Sequence, residues 1–188
     1  VTDTSGKDPH VCARCAQQGP TCCRLEAGQE EVCFPLSVTE QERIREVLPD
    51  TGGFEQEPNS RAFINNVRRL FPNEDEAVHE LFPVKGTHVR LALGKDGSCR
   101  FLGPNGCVIP KESRPYYCRL YPFWITGGEV LVFDSPTCLA RRECRSINCM
   151  FRVIETNAAT VRDLYGRLRL AWGCRRHAAC ARSSVPSR

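Results

Sequence analysis

The sequence predicts a small, irregular α+β domain of short helices and β-hairpins, and three observations lead there. Apolar residues recur at helical spacing in short segments, most of them opened by a capping residue or closed by a proline. Alternating apolar residues flank two glycine-containing turns. Of thirteen cysteines in 188 residues, ten fall into three groups, and cysteine chemistry is a common way to organise elements this short.

The elements follow in order. CARCAQQGPTCC, residues 12 to 23, reads as a cysteine loop. In SVTEQERIREVL, Ser37 is placed to cap and Glu40 stands three residues on, ahead of Ile44, Val47 and Leu48, so a helix starts here. A break rich in Pro, Gly and Asn at 49 to 60 leads into RAFINNVRRLF, whose Phe63, Val67, Leu70 and Phe71 share a helical face. Asn73 with Glu76 opens a third helix, ended by Pro83.

The pattern then changes to alternation around Lys95, Asp96 and Gly97, which predicts a hairpin in HVRLALGKDGSCRFLG. GPNGC makes the next turn, and Ser113 is placed to cap a brief helix through RPYYCRL, closed by Pro122. PFWITGGEVLVF predicts a second hairpin about Gly127 and Gly128. Val161, Leu164, Leu168 and Ala171 mark one amphipathic helix over 156–172. The aromatic group Tyr116, Tyr117, Tyr121, Phe123 and Trp124 reads as core. These boundaries give a polar, disordered N-terminus over 1–11, a single cysteine-cluster metal-binding domain over 12–173, its helices and hairpins expected to be organised around a cysteine-ligated metal centre, and a basic tail over 174–188.

Charge is lopsided. Residues 1 to 137 hold 15 basic and 19 acidic groups, whereas 138 to 188 hold 11 and 3, a difference of +8. Nearly all the basic residues are Arg, which pairs with fixed anions through a planar fork. No apolar run approaches the roughly 20 residues a membrane span needs. VTDTSGKDPH lacks the basic-then-apolar pattern of a signal peptide, and a cytoplasmic location is expected. An odd number of cysteines, with no visible export signal, argues against a mainly disulfide framework and for thiolate–metal chemistry.

The spacing of the cysteines carries the chemistry. Cys12-x2-Cys15 precedes the doublet Cys22-Cys23; Cys99, Cys107 and Cys118 form a second group; Cys138, Cys144 and Cys149 follow. A two-residue gap lets two thiolates turn toward one ion, and Cys99 and Cys107 lie at the ends of the tight CRFLGPNGC turn. Arg14, Arg24, Arg100, Arg114 and Arg119 lie one to four residues from these positions, where they would balance an anionic centre.

CARCAQQGPTCCR and CRFLGPNGCVIPKESRPYYCRLYPF resemble the YkgJ-like cysteine-cluster family, described as zinc- or iron-chelating domains of the CxxCxxCC type. The resemblance covers roughly residues 12 to 138 and implies Cys12, Cys15, Cys22, Cys23, Cys99, Cys107 and Cys118 as metal ligands, with Cys138 as the choice for an eighth. The gap between CxxC and CC is longer than the family's common form, and five further cysteines are present. Of these, Cys33 reads as a buried thiol, Cys144 and Cys149 as substitutes for Cys138 or extensions of the site, and Cys174 and Cys180 as spare thiols on the basic tail.

The expected function is therefore metal chelation, with a role in electron transfer, redox sensing or assembly. An iron–sulfur cluster (4Fe–4S) is favoured over zinc, and Arg114 and Arg119 are the expected cofactor-binding residues. The expected partners are a metal ion or cluster and an unidentified protein. Relatives implied by the resemblance include flagellin lysine N-methylases, so metal-dependent methyl transfer is one alternative; a zinc-stabilised nucleic-acid module is the other, although no aromatic stacking platform accompanies the terminal arginines. Adjacent side chains point in different directions, so the Cys22–Cys23 doublet predicts two metal centres, or one polynuclear cluster reached by only one of the pair.

Overall fold

The structure is a computed structural model, and it describes residues 10–19, 21–26, 28–29, 32–49 and 52–173. Among the described residues, eight short helices and six short strands make an α+β domain. The strands form three separate two-stranded antiparallel sheets, β1 (Phe54–Pro58) with β2 (Thr87–Leu91), β3 (Leu102–Gly103) with β4 (Gly106–Cys107), and β5 (Phe123–Thr126) with β6 (Glu129–Val132). Among the described residues, no helix is long and apolar enough to cross a membrane.

The first cysteines do not lie in a loop. His10 opens α1 (Val11–Gln18), its ring Nδ1 accepting from the Cys12 amide at 3.2 Å, and Gly19 ends it. The helix inserts Val11 and Cys15 between itself and α6 (Leu139–Glu143), where they pack with Cys138, Leu139 and Ala140. Both oxygens of Glu143 accept from Arg14, at 2.7 and 2.8 Å, which ties the outer side of the same pair.

Helix α2 (Val38–Val47) starts as the sequence predicts, with the Ser37–Glu40 capping box formed in both directions. Helix α3 (Arg61–Leu70) buries Phe63, Ile64 and Val67 and is capped by Ser60. Helix α4 (Asp75–Leu81) differs in its start: Asn73 takes a left-handed φ of 66°, and Glu74 occupies the cap position without a side-chain bond. Glu74 instead accepts two bonds from Arg169, at 2.6 and 2.7 Å, so a distant ion pair displaces the local cap.

The hairpin expected around Lys95–Gly97 is reduced to a single bridge, Leu93 to Cys99. Its first arm, β2, pairs instead with β1, from the segment read as a break. FEQEP carries a proline and two glutamates, poor strand formers, and pairing holds it because Arg90 is buried against Glu55 and Glu57 at 2.7 and 2.8 Å. Ser113 closes a 3-10 turn over Lys111–Ser113, and α5 (Tyr116–Leu120) starts after Pro115. The β5–β6 hairpin turns at Gly127 and Gly128, both at positive φ, as predicted.

Between the hairpin and the last helix lie α6 and α7 (Ile147–Ile154), neither foreseen. Asn157 caps α8 (Ala158–Ala171). The main core gathers Phe63, Val67, Phe71, Val78, Phe82, Leu120, Phe123, Trp124, Leu164 and Leu168 from α3, α4, α5, β5 and α8. Trp124 is 2% exposed and donates its indole N–H to the Leu70 carbonyl at 2.8 Å. The predicted tail over 174–188, with Cys174 and Cys180, lies outside the described residues, as do residues 1–9.

Candidate thiol centre

Two close approaches of backbone to backbone assemble the cysteines. Gly97, at φ 75°, receives the Leu25 amide on its carbonyl at 2.9 Å, and Cys99 donates its amide to the Cys23 carbonyl at 2.8 Å. The doublet loop is thereby zipped onto the 93–99 turn. Gly106, at φ 97°, brings β4 against α1, and a Cβ there would stand 3.5 Å from both Ala13 Cα and the Cys12 carbonyl. Only hydrogen fits comfortably at both φ values. Cys22, Cys23, Cys99, Cys107 and Cys12 are drawn to one end of the domain as a result, with Cys118 beside them on α5.

Within that group, the neighbouring thiols of Cys22 and Cys23 act most strongly on each other's protonation, Cys22 keeping its proton and Cys23 giving it up more readily. Thr21, itself buried, bonds to the Cys23 sulfur, and its Oγ1 accepts from the Cys23 amide at 3.3 Å. The Arg114 guanidinium adds positive charge. Together, Cys22 first, these outweigh desolvation and bring the Cys23 thiol down to about 7. Cys22 moves the other way, because its neighbour Cys23 and its desolvation both hold its proton.

The remaining thiols are kept protonated. Burial, then the nearby Cys23, pushes Cys12 up to about 11, and burial pushes Cys99 up to about 12. Burial likewise raises Cys107, Cys118 and Cys138. Cys12, Cys22 and Cys118 keep exposed surface, but protein packed close around them still desolvates their thiols. Cys15 is buried against Cys138 and donates weakly to the Thr137 carbonyl at 3.8 Å.

This arrangement corrects the metal-centre expectation. Among the described residues, no group of three or more Cys, His, Asp or Glu side chains could hold a metal ion. The expected ligands divide instead: Cys15 and Cys138 turn into one apolar cluster, and Cys99 and Cys107 pack beside Ile44, Phe101 and Ile109. A metal requires at least three donor side chains converging on one point, and among the described residues none converge so. Neither an iron–sulfur cluster nor zinc is supported as cofactor or partner. The doublet does not divide between two metal centres, because no group of side chains able to hold a metal is found among the described residues.

The arginines expected at a cofactor are engaged by protein. Arg114 donates to the carbonyls of Ile109 and Cys107 at 2.8 and 3.1 Å, fixing the turn that carries Cys107. Arg119 donates to the Glu112 carboxylate at 2.6 Å and to its carbonyl at 3.2 Å. Arg24 meets Ser98 and Asp96. Cys144 and Cys149, expected to substitute for or extend the ligand set, form a disulfide with each other across the start of α7. Cys33 is half-buried on the strip that stacks Phe34 on Tyr117.

Residues that sequence reasoning missed include Thr21, which bonds to the Cys23 sulfur, and His10, which caps α1 and contacts the Ile154 carbonyl at 3.3 Å. A Thr two residues before a Cys signals an amide-capping turn, which was legible in TCC. His10 needed a helix that the cysteine-loop reading did not contain. Metal chelation, metal-dependent methyl transfer and a zinc-stabilised nucleic-acid module all lose their support. No family model matches the chain, no curated protein matches it and no solved structure matches it, so the resemblance to the YkgJ-like cysteine-cluster family is overturned.

Proposed function

We propose that this protein carries out thiol–disulfide exchange, with Cys23 as the attacking sulfur and Cys22 as the neighbour that stabilises its thiolate. The observation that carries this reading is the Cys23 thiol itself, brought down to about 7 chiefly by its neighbour Cys22. Arg114 and Thr21 support it from the sides. In the reaction, the Cys23 thiolate attacks one sulfur of a disulfide; that S–S bond breaks, a Cys23 mixed disulfide forms, and a thiolate leaves and takes a proton from water.

A second protein thiol must then resolve the mixed disulfide. Adjacent Cα atoms lie about 3.8 Å apart, below the roughly 4.4 Å minimum of ordinary disulfides, so a Cys22–Cys23 bond would be strained. Cys12, whose thiol the nearby Cys23 pushes up, is the better resolving partner. Once deprotonated by solvent, it attacks the Cys23 sulfur and releases the second thiolate. Two electrons pass from protein to substrate, and an external dithiol restores the reduced pair. The unit over 12–173 is the proposed working domain. A cytoplasmic location fits, because a reducing compartment keeps this many thiols available.

Peptide mapping of the reduced protein after brief exposure to hydroxyethyl disulfide tests the reading. At pH 7, lowering a thiol from about 9 to about 7 raises its thiolate fraction roughly 50-fold and lowers its intrinsic nucleophilicity roughly 8-fold, leaving about a sixfold advantage. Cys23 should be the first cysteine modified, and Cys23→Ser should remove the fast phase. Modification of Cys23 no faster than of Cys99 or Cys138 overturns the proposal.

A further inference from the structure

An open cleft of about 270 Å³ lies beside the thiol centre, with His10, Cys12, Asn105, Lys111, Arg114 and Glu155 among its walls. It stands near the lower end of the size range of small-molecule sites. The exposed Cys12 gives it a thiol wall, and Arg114, also on its wall, acts electrostatically on both Cys12 and Cys23. His10 is held at the rim, its Nδ1 accepting from the Cys12 amide and its Nε2 3.3 Å from the Ile154 carbonyl. Among the described residues of its walls, Lys111 and Arg114 face a single carboxylate, that of Glu155, 4.0 Å from the Lys111 ammonium. Cationic groups outnumber carboxylates among those walls two to one.

From this placement we infer that the cleft is the substrate site, and that it takes a small disulfide carrying carboxylates close to its sulfur–sulfur bond. The inference rests on the exchange reading and adds the substrate's chemical class. Lys111 would take a carboxylate in exchange for its long contact to Glu155, and Arg114 would hold a second anionic group near the sulfurs. The Asn105 amide, now accepting from Gln17 at 3.2 Å, offers a polar contact at the opposite wall. A cationic disulfide would meet the same two cations and be repelled.

The test compares three probes at low ionic strength on the reduced full-length chain: oxidised glutathione, cystamine and uncharged hydroxyethyl disulfide. Mixed-disulfide formation at Cys23 is followed by mass spectrometry. Oxidised glutathione should react about tenfold faster than cystamine, as expected for electrostatically steered encounter. Lys111→Glu should reduce that preference about fivefold, while Lys85→Glu, the same charge change at an exposed position outside the cleft, should leave it nearly intact. Asn105→Asp provides a second route to the same loss if Lys111→Glu folds poorly.

Equal rates for oxidised glutathione and cystamine overturn the cleft assignment, as does a Lys85→Glu effect as large as that of Lys111→Glu. In both cases rapid modification of Cys23 by hydroxyethyl disulfide leaves the exchange reading standing. If none of the three probes modifies Cys23, the exchange reading fails and the cleft assignment with it.

Discussion

Glu40 accepts a hydrogen bond from the backbone amide of Tyr116, 2.8 Å away and 76 positions along the chain. Its other oxygen accepts from the Ser37 amide and hydroxyl, at 2.9 and 2.6 Å. One carboxylate, 1% exposed, thus serves the N-termini of both α2 and α5. A buried charge is tolerated when donors surround it. The segment it anchors also carries Cys118.

Glu40→Ala should therefore destabilise the fold by about 3 kcal/mol, since it removes a cap and leaves a buried amide without its acceptor. Glu40→Gln should cost less, because one carbonyl oxygen can still serve one of the two helices. Urea denaturation of both variants checks the order.

The pH dependence of alkylation should report Cys23 directly. Because its thiol is brought down to about 7, iodoacetamide labelling of Cys23 should rise through pH 7, whereas a thiol at the ordinary 9 would rise two pH units later. Cys22→Ala removes the largest cause of the shift and should move the midpoint upward. The linked stability term has a definite sign: a depressed folded value stabilises the protein above the unfolded value of 9 and is lost as pH falls through 7.

Acid should act through His88. Its ring is 6% exposed, stacks on Phe63 at 3.6 Å between centroids, and has one nitrogen 3.0 Å from the Asn59 side-chain oxygen. Nε2 is buried without a partner, and desolvation brings the group down to about 4, with Glu57 opposing and Arg90 assisting. The unfolded chain binds this proton first, so stability should decline as pH falls from 6.5 to 4. Melting temperatures across that window should fall more steeply in the parent protein than in His88→Gln.

Gly97→Ala should loosen the doublet loop. The residue sits at φ 75°, and a Cβ there would collide with the Leu25 carbonyl, so backbone must move. A loss of about 2 kcal/mol or more is expected, together with faster amide exchange over 22–25. Gly127→Ala, also at positive φ but with open space around it, should cost about 1 kcal/mol from backbone conformation alone.

Local signals made much of this fold legible. The Ser37–Glu40 box, the apolar face of α3, the Gly127–Gly128 hairpin and α8 each depend on residues within a few positions of one another, so spacing alone locates them. The sequence also pointed to the thiol group and to Arg114 beside it. It did not reveal β1, which becomes a strand because Arg90 neutralises its two glutamates from the neighbouring strand. Nor did it reveal α1, stabilised by packing on α6 and β4 rather than by strong helix signals.

The chemistry divides in the same way. Spacing such as Cys12-x2-Cys15 shows that sulfurs are close along the chain, but not which way each one faces. The tertiary structure turns Cys15 toward Cys138, places Cys99 and Cys107 beside a small apolar cluster, joins Cys144 to Cys149, and sets Cys22 and Cys23 so that each shifts the other's protonation. The physical reason is that a thiol's protonation and its partner are set by burial and by distant charges, and only the folded chain brings those together.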